Sequence, residues 1–431
     1  MLRRSVSFAD ESLVSPPPDP ANLFALPDFR RYQIARFLLT IGIQMQSVAI
    51  GLHVWDVTKS PLALGYVGLA QFLPQILFSI FTGHVADRFD RRTVVLVCYS
   101  AVLLSALLLL ATVGIHAMMP IYAILFLFGT TRAFVGPAAS ALLTNIVPIS
   151  IFPRAVAAGS AVWQVASIIG PSAGGLVYAA AAGKSQDLTR GAGAVFAGCA
   201  ILTIVSFIAV LRMEVRTGRL EKKGMSLETL FSGVRYVFQN KMILGSISLD
   251  LFAVLFGGAV ALLPIFARDV LHTGPWGLGF LRSAPAAGAA LMALVFANRP
   301  IKRHAGLLML ACVFVFGIAT IVFAYSTNFL LSMVALFVVG ASDMVSVVVR
   351  SVVVQIATPA EMRGRVAAVN FIFVGASNEL GEFESGVTAQ WFGAVRAAAL
   401  GGLATCLVVA TWAGLFPSLR NVDRLDDLAE K

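Results

Sequence analysis

A small set of charged residues stands inside long apolar stretches of this sequence: Arg36, Arg132, Asp250, Arg282, Asp343, Arg350, Glu379, Glu382 and Glu384. An ionisable side chain at the centre of a membrane helix costs at least about 2.5–3.5 kcal/mol on insertion scales, so it marks a pathway, a proton relay or an ion pair. Glu379 and Glu382 are three residues apart and share a helical face, while Glu384 points elsewhere. A carboxylate held between helices away from water can load and release a proton. Asp250, Glu379 and Glu382 are therefore the leading proton-coupling candidates, with Asp343 behind them. Arg132 and Asp343 are placed to form a structural pair, and Arg350 to pair with Asp343 or snorkel. Enzyme chemistry has no foothold. His53, His84, His116, His272 and His304 fall at the ends of apolar runs or between them, and no HExxH or GxxxxGK[ST] occurs. No catalytic residue, metal site or cofactor is expected, and transport would draw on an ion gradient.

The elements that must position these groups are long helices. The chain is 58% hydrophobic and 13% charged, against roughly 45–50% and 25% for a soluble domain. Apolar runs long enough to span a bilayer centre on residues 31–56, 61–84, 93–115, 119–147, 152–181, 192–213, 242–267, 275–298, 305–325, 328–356, 366–392 and 395–416. The expected fold class is an all-α polytopic membrane protein with twelve transmembrane helices in two pseudo-symmetric six-helix bundles. Residues 1–28, which include "SPPPDP", are too polar to build a core and predict a disordered tail, with no cleavable signal ahead of the first run. Cys98, Cys199, Cys312 and Cys406 fall inside helical runs, so no disulfide is expected.

Most Lys and Arg residues sit in both tails, in the "DRFDRR" turn, in the linker after the sixth run and in the turns after the eighth and tenth. Positive residues stay in the cytoplasm, so both termini are expected there, and the net charge of +10 reports topology, not nucleic-acid binding. The chain also repeats itself at an offset of 211 residues: "ADRFDRR" (Ala86–Arg92) falls on "ANRPIKR" (Ala297–Arg303), and "GLAQFLP" (Gly68–Pro74) on "GFLRSAP" (Gly279–Pro285). Gly129, Arg132, Pro148 and Arg154 fall on Gly340, Asp343, Pro359 and Arg365. The expected division is a tail (1–28), a bundle (29–215), a cytoplasmic amphipathic linker (216–241), a second bundle (242–417) and a tail (418–431). The linker spaces Leu227, Leu230, Phe231, Val234 and Phe238 as a surface helix would. Duplicated bundles can rock about a site between them, the geometry of alternating access.

"GHVADRFDRR" (Gly83–Arg92) resembles motif A of the major facilitator superfamily, and "GPSAGG" (Gly170–Gly175) resembles its antiporter motif C. Asp90 stands where motif A usually has its second Gly, and Val85 where it has Leu. Stretches such as "RRYQIARFL" and "RGRVAAVNFIFVGASNELGEF" resemble the bacterial branch containing the enterobactin exporter and macrolide-efflux-like proteins. The resemblance implies the superfamily's fold, with the first, fourth, seventh and tenth helices lining a cavity, Arg36, Arg132, Asp250 and Asp343 facing it, and Glu379, Glu382 and Arg282 nearby; Arg36, Arg132 and Arg282 are thereby the substrate-cavity candidates. It implies a gating role for Gly83, Asp87, Arg88, Arg91 and Arg92, with Asp87 meeting the start of the eleventh helix and the arginines pairing with nearby acids. Gly170, Pro171, Gly174 and Gly175 would kink and closely pack the fifth helix. The function implied is proton-coupled export of a small amphipathic organic molecule, such as a siderophore or drug, across a bacterial inner membrane by a monomer. Its partners are that molecule, protons and the lipid bilayer, with no nucleic acid. The alternatives are an importer or lipid transporter, or more remotely a non-transporting sensor or assembly component.

Overall fold

The computed structural model describes residues 23–115, 117–183, 187–214, 227–299, 301, 303–359 and 361–423, and their side chains except at 79–84, 86–88 and 227–231. Thirteen helices of more than ten residues dominate it: α1 Pro27–Thr58, α2 Pro61–Arg88, α3 Arg91–Thr112, α4 Met118–Ile146, α5 Phe152–Ala182, α6 Leu188–Leu211, α7 Leu227–Gln239, α8 Lys241–Gly257, α9 Gly274–Asn298, α10 Ala305–Tyr325, α11 Phe329–Ile356, α12 Arg363–Phe392 and α13 Ala394–Leu415. No strand occurs among the described residues. Polar side chains start several of them: Ser60, Asp90, Asp187, Asn240 and Asn328 each accept a backbone N–H from the first turn of α2, α3, α6, α8 and α11. Such caps satisfy donors that the helix cannot. Lys59 closes α1 in the left-handed region at φ 49° and turns the chain into α2.

Among the described residues, eleven segments are long and apolar enough to cross a membrane. The remaining expected run forms α12, 30 residues long. It carries Arg363, Arg365, Glu379, Glu382 and Glu384 and falls short in apolarity. The seventh run is not one continuous α-helix. α8 stops at Gly257, a 3-10 turn spans Ala259–Leu262, and the span ends in a π-helical turn, Phe266–Val270. Adjacent Gly257 and Gly258 break the helix, and the bare Gly257 lets Phe316 pack where a Cβ would lie 2.3 Å from its ring.

α1 packs on α5 and α6, α2 on α4, and α3 on α4 and α6; α8 packs on α12 and α13, α9 on α11, and α10 on α11 and α13. The two groups meet chiefly where α5 lies on α9 and α2 on α12. Both crossings are made through glycine. A Cβ on Gly175 would lie 2.5 Å from the Pro275 carbonyl oxygen and 2.9 Å from the Gly279 Cα, and one on Gly386 2.7 Å from the Gly65 Cα. Small residues let helix backbones touch in this way. Both contacts lie at one end of the molecule, hereafter the far end, where α1 turns into α2 and α12 into α13.

The glycines of "GPSAGG" act here. Gly170 and Gly174 face Gln44 and Met45 of α1, and Gly175 faces α9. α7 docks on the start of α12 and the end of α11: Gly233 lies against the Arg365 backbone, Arg365 donates to Ser232 Oγ at 3.0 Å, and the Tyr236 hydroxyl donates to the carbonyl of Ala357, the residue after α11, at 3.2 Å. Val237 is buried and Phe238 exposed, while the side chains of Leu227, Leu230 and Phe231 lie outside the described residues.

Candidate substrate cavity and its buried charges

A cavity of about 380 Å³ lies between the two groups of helices. α1 contributes Gln44 and Ser47, α2 Gln71, α4 Arg132, α5 Trp163, the broken seventh span Pro264, α9 Arg282, and α12 both Glu379 and Glu382. Arg132 Nη1 donates to Glu379 Oε1 at 2.8 Å and to Gln71 Oε1 at 3.5 Å, so an ion pair spans the cavity from one group to the other. The Arg132 side chain is 41% exposed and that of Glu379 10%. The cation therefore faces the cavity while the carboxylate is largely enclosed. Arg282 Nη1 donates to the Ser47 carbonyl at 3.1 Å, a second cross-group bond. Glu382 packs on α2 where Gly68 leaves room: a Cβ there would lie 2.9 Å from Glu382 Oε2.

The other candidates fall elsewhere. Arg132 does not pair with Asp343, because α4 faces α12 across the central cavity whereas Asp343 lines a second cavity of about 200 Å³ beside α9, α10 and α11. Arg350 does not pair with Asp343 either; it donates to Asp250 in an ion pair whose two side chains are each 5% exposed. Asp250 is thus placed inside the α8–α11 packing and does not line the central cavity. Arg36 sits over the Tyr32 ring, 5.7 Å from its centroid, and against Gly159, also off the central cavity. Glu384 lines neither cavity.

In the motif A stretch, the side chains of Asp87 and Arg88, and the surroundings of Gly83, lie outside the described residues. Arg91 and Arg92 pair with helix ends, not acids. Arg91 donates to the Ala141 carbonyl at 2.9 Å and Asn145 Oδ1 at 2.8 Å, and Arg92 to the Val210 carbonyl at 3.2 Å and to that of Leu211. These groups belong to the last turns of α4 and α6, where unpaired carbonyls and the helix dipole favour a cation. Asp90, the departure from the motif, accepts the Thr93 N–H at 2.9 Å and so caps α3.

Sequence reasoning overlooked Gln71, Trp163 and an ion pair between Asp56 and Arg268 at 2.7 Å. The first had a signal: at the 211-residue offset Gln71 falls on Arg282, and both line the cavity. Asp56 and Arg268 stand at run ends, where charges read as loop charges.

The family described as transmembrane secretion effector matches residues 21–431. The chain is 27% identical over 381 residues to the multidrug efflux pump Tap of Mycolicibacterium fortuitum, covering 84% of this chain and 89% of that protein. It is 24% identical over 387 residues to the enterobactin exporter EntS of Escherichia coli O1:K1 / APEC, covering 88% and 85%. Its fold is similar to that of a D-xylose–proton symporter (TM-score 0.71, 13% identity, 92% and 99% covered) and of the nucleoside transporter NupG (TM-score 0.68, 14% identity, 90% and 100% covered).

Proposed function

Since the chain belongs to the transmembrane secretion effector family of major-facilitator-type transporters, we propose that it exports a small amphipathic organic molecule, a drug or siderophore, from a bacterial cell in exchange for protons. The observation that carries this reading is the Arg132–Glu379 pair across the central cavity. Protonation discharges Glu379 and frees Arg132, so the proton state of one carboxylate alters both the cavity's charge and a tie between the two bundles. Glu382, one turn along α12, lies in the same field. Export is supported by the relatives named as exporters. Each transmembrane pH unit supplies about 1.4 kcal/mol per exchanged proton, a tenfold substrate gradient.

In this reading the bundles are 29–215 and 242–417, both termini face the cytoplasm, the monomer is the working unit, and Asp87 holds the cytoplasmic gate. Inside-out vesicles with an acidic lumen and ethidium as the probe test it. Uptake that collapses on dissipating the pH gradient is expected; uptake indifferent to the gradient overturns proton coupling. Glu379→Gln keeps the shape and removes the titration, so ethidium binding should persist while gradient-driven uptake is lost. Glu384→Gln, off both cavities, should transport normally. Wild-type coupling in Glu379→Gln and Glu382→Gln alike would move the proton site to Asp250 or Asp343.

A further inference from the structure

The second cavity adjoins the first. Its lining shares Val260 and Glu382 with the central cavity, and it runs back between α8, α9, α10, α11 and α12. At about 200 Å³ it is too small for a whole drug-sized ligand, for which sites span roughly 300–1,000 Å³. It can take one end of a molecule whose remainder lies in the larger space. The walls are apolar, with Phe316, Phe323, Leu336 and Val339, and the polar groups are few. Thr320 spends its hydroxyl hydrogen on the Phe316 carbonyl at 2.9 Å, and Asn378 donates to the Val374 carbonyl at 2.9 Å.

Asp343 and Glu382 are different. Among the described residues neither carboxylate has a hydrogen bond or an ion pair within 4.0 Å, and Asp343 is partly exposed, lining this space. No basic residue lines the cavity. Arg350, the cation near Asp343, is held by Asp250, and Arg282, the one near Glu382, is bonded to the Ser47 carbonyl. With Asp343 ionised, Asp250, Arg350 and Asp343 together carry one negative charge without a partner. An isolated carboxylate in apolar surroundings costs several kcal/mol, and a ligand cation relieves that cost. An anion would be repelled, and aromatic faces add a further preference for a cation.

We propose that this side cavity is a subsite for a lipophilic ammonium: Asp343 takes the charged nitrogen, and Phe316, Phe323 and Leu336 take the hydrocarbon beside it. The proposal rests on the transport reading above and narrows its substrate class to amphipathic amines. The test uses the full-length protein in nanodiscs and three probes with one cage and three charges: 1-adamantanamine, 1-adamantanol and 1-adamantanecarboxylate. Calorimetric titration should give the amine an affinity at least about tenfold above the alcohol, with the carboxylate weakest. Asp343→Asn should remove the difference between amine and alcohol while alcohol binding persists, which also reports that the variant is folded; Asp343→Glu should keep the preference. Equal binding of the three probes by the wild type overturns the proposal, whatever the variants do. So does an amine preference that survives Asp343→Asn. Equilibrium binding needs neither a gradient nor a direction, so a negative result here leaves ethidium export standing, and a failure of export leaves this measurement interpretable.

Discussion

Asp250 and Arg350 each have a side chain 5% exposed, and Arg350 Nε has no hydrogen-bond partner. Two charges so enclosed lose hydration that their attraction only partly repays, and removing one partner strands the other at a cost of about 3–5 kcal/mol. Arg350→Met alone should therefore lower the thermal midpoint sharply. The double variant Asp250→Leu/Arg350→Met should recover most of the loss, because an apolar pair of similar size removes both desolvation costs. Ethidium transport in the double variant then separates two roles: retained transport makes the pair structural, and lost transport in a stable protein makes Asp250 part of coupling. Both residues stand out in the sequence as charges in apolar runs, yet their pairing was not legible. Helical spacing relates Asp343 to Arg350 on one helix, whereas Asp250 approaches from α8, and that depends on how two helices are rotated. Asp90 shows the same limit, because its value as a cap depends on where α3 begins.

At the level of elements, apolar periodicity located the helices well because bilayer length and polar turns bound each run. At the seventh it located the span, Lys241–Val270, but not the irregularity inside it. The residues on both sides of Gly257–Gly258 are apolar, so hydropathy passes over a break that falls at the two glycines, the first of which leaves room for Phe316. The glycines in α2, α5, α9 and α12 were visible, but their partners were not; the expected packing role of "GPSAGG" acquires its target only when α5 meets α9. Gly175→Ala places a Cβ 2.5 Å from a backbone oxygen that cannot swing aside. α5 and α9 must part at the far end. Spin labels at the exposed positions Val177 and Trp276 should then report a longer separation, and Gly136→Ala, which meets nothing within 4 Å, should leave the distance unchanged. An unaltered distance in Gly175→Ala would mean that the glycine contact does not hold the two groups together.

For the whole molecule, the proposed export by alternating access requires the far end to open, and the structure has it closed. Besides the two glycine crossings, Ser60 donates to Gln390 Oε1 at 3.2 Å, and Arg268 meets Asp56 at 2.7 Å with side chains 15% and 6% exposed. Arg268 sits on the π-helical turn, a local irregularity that often accompanies functional sites, and its Nε lacks a partner. Asp56 has a second partner in Lys59 at 3.2 Å, a side chain 59% exposed and therefore well screened. The two halves of the pair should consequently differ. Asp56→Asn strands a mostly buried guanidinium, whereas Arg268→Gln leaves Asp56 with Lys59. If the pair latches the closed end, both variants should speed labelling of a Ser47→Cys cavity reporter by an impermeant maleimide added from the far side, Asp56→Asn by roughly tenfold or more and Arg268→Gln by less. The exchanged pair Asp56→Arg/Arg268→Asp should bring the rate back towards the parent's, since attraction across the interface does not depend on which bundle carries which sign. Labelling unchanged in Asp56→Asn would leave closure to the glycine contacts alone, and the far end would then open by helix separation with no ionic tie to break.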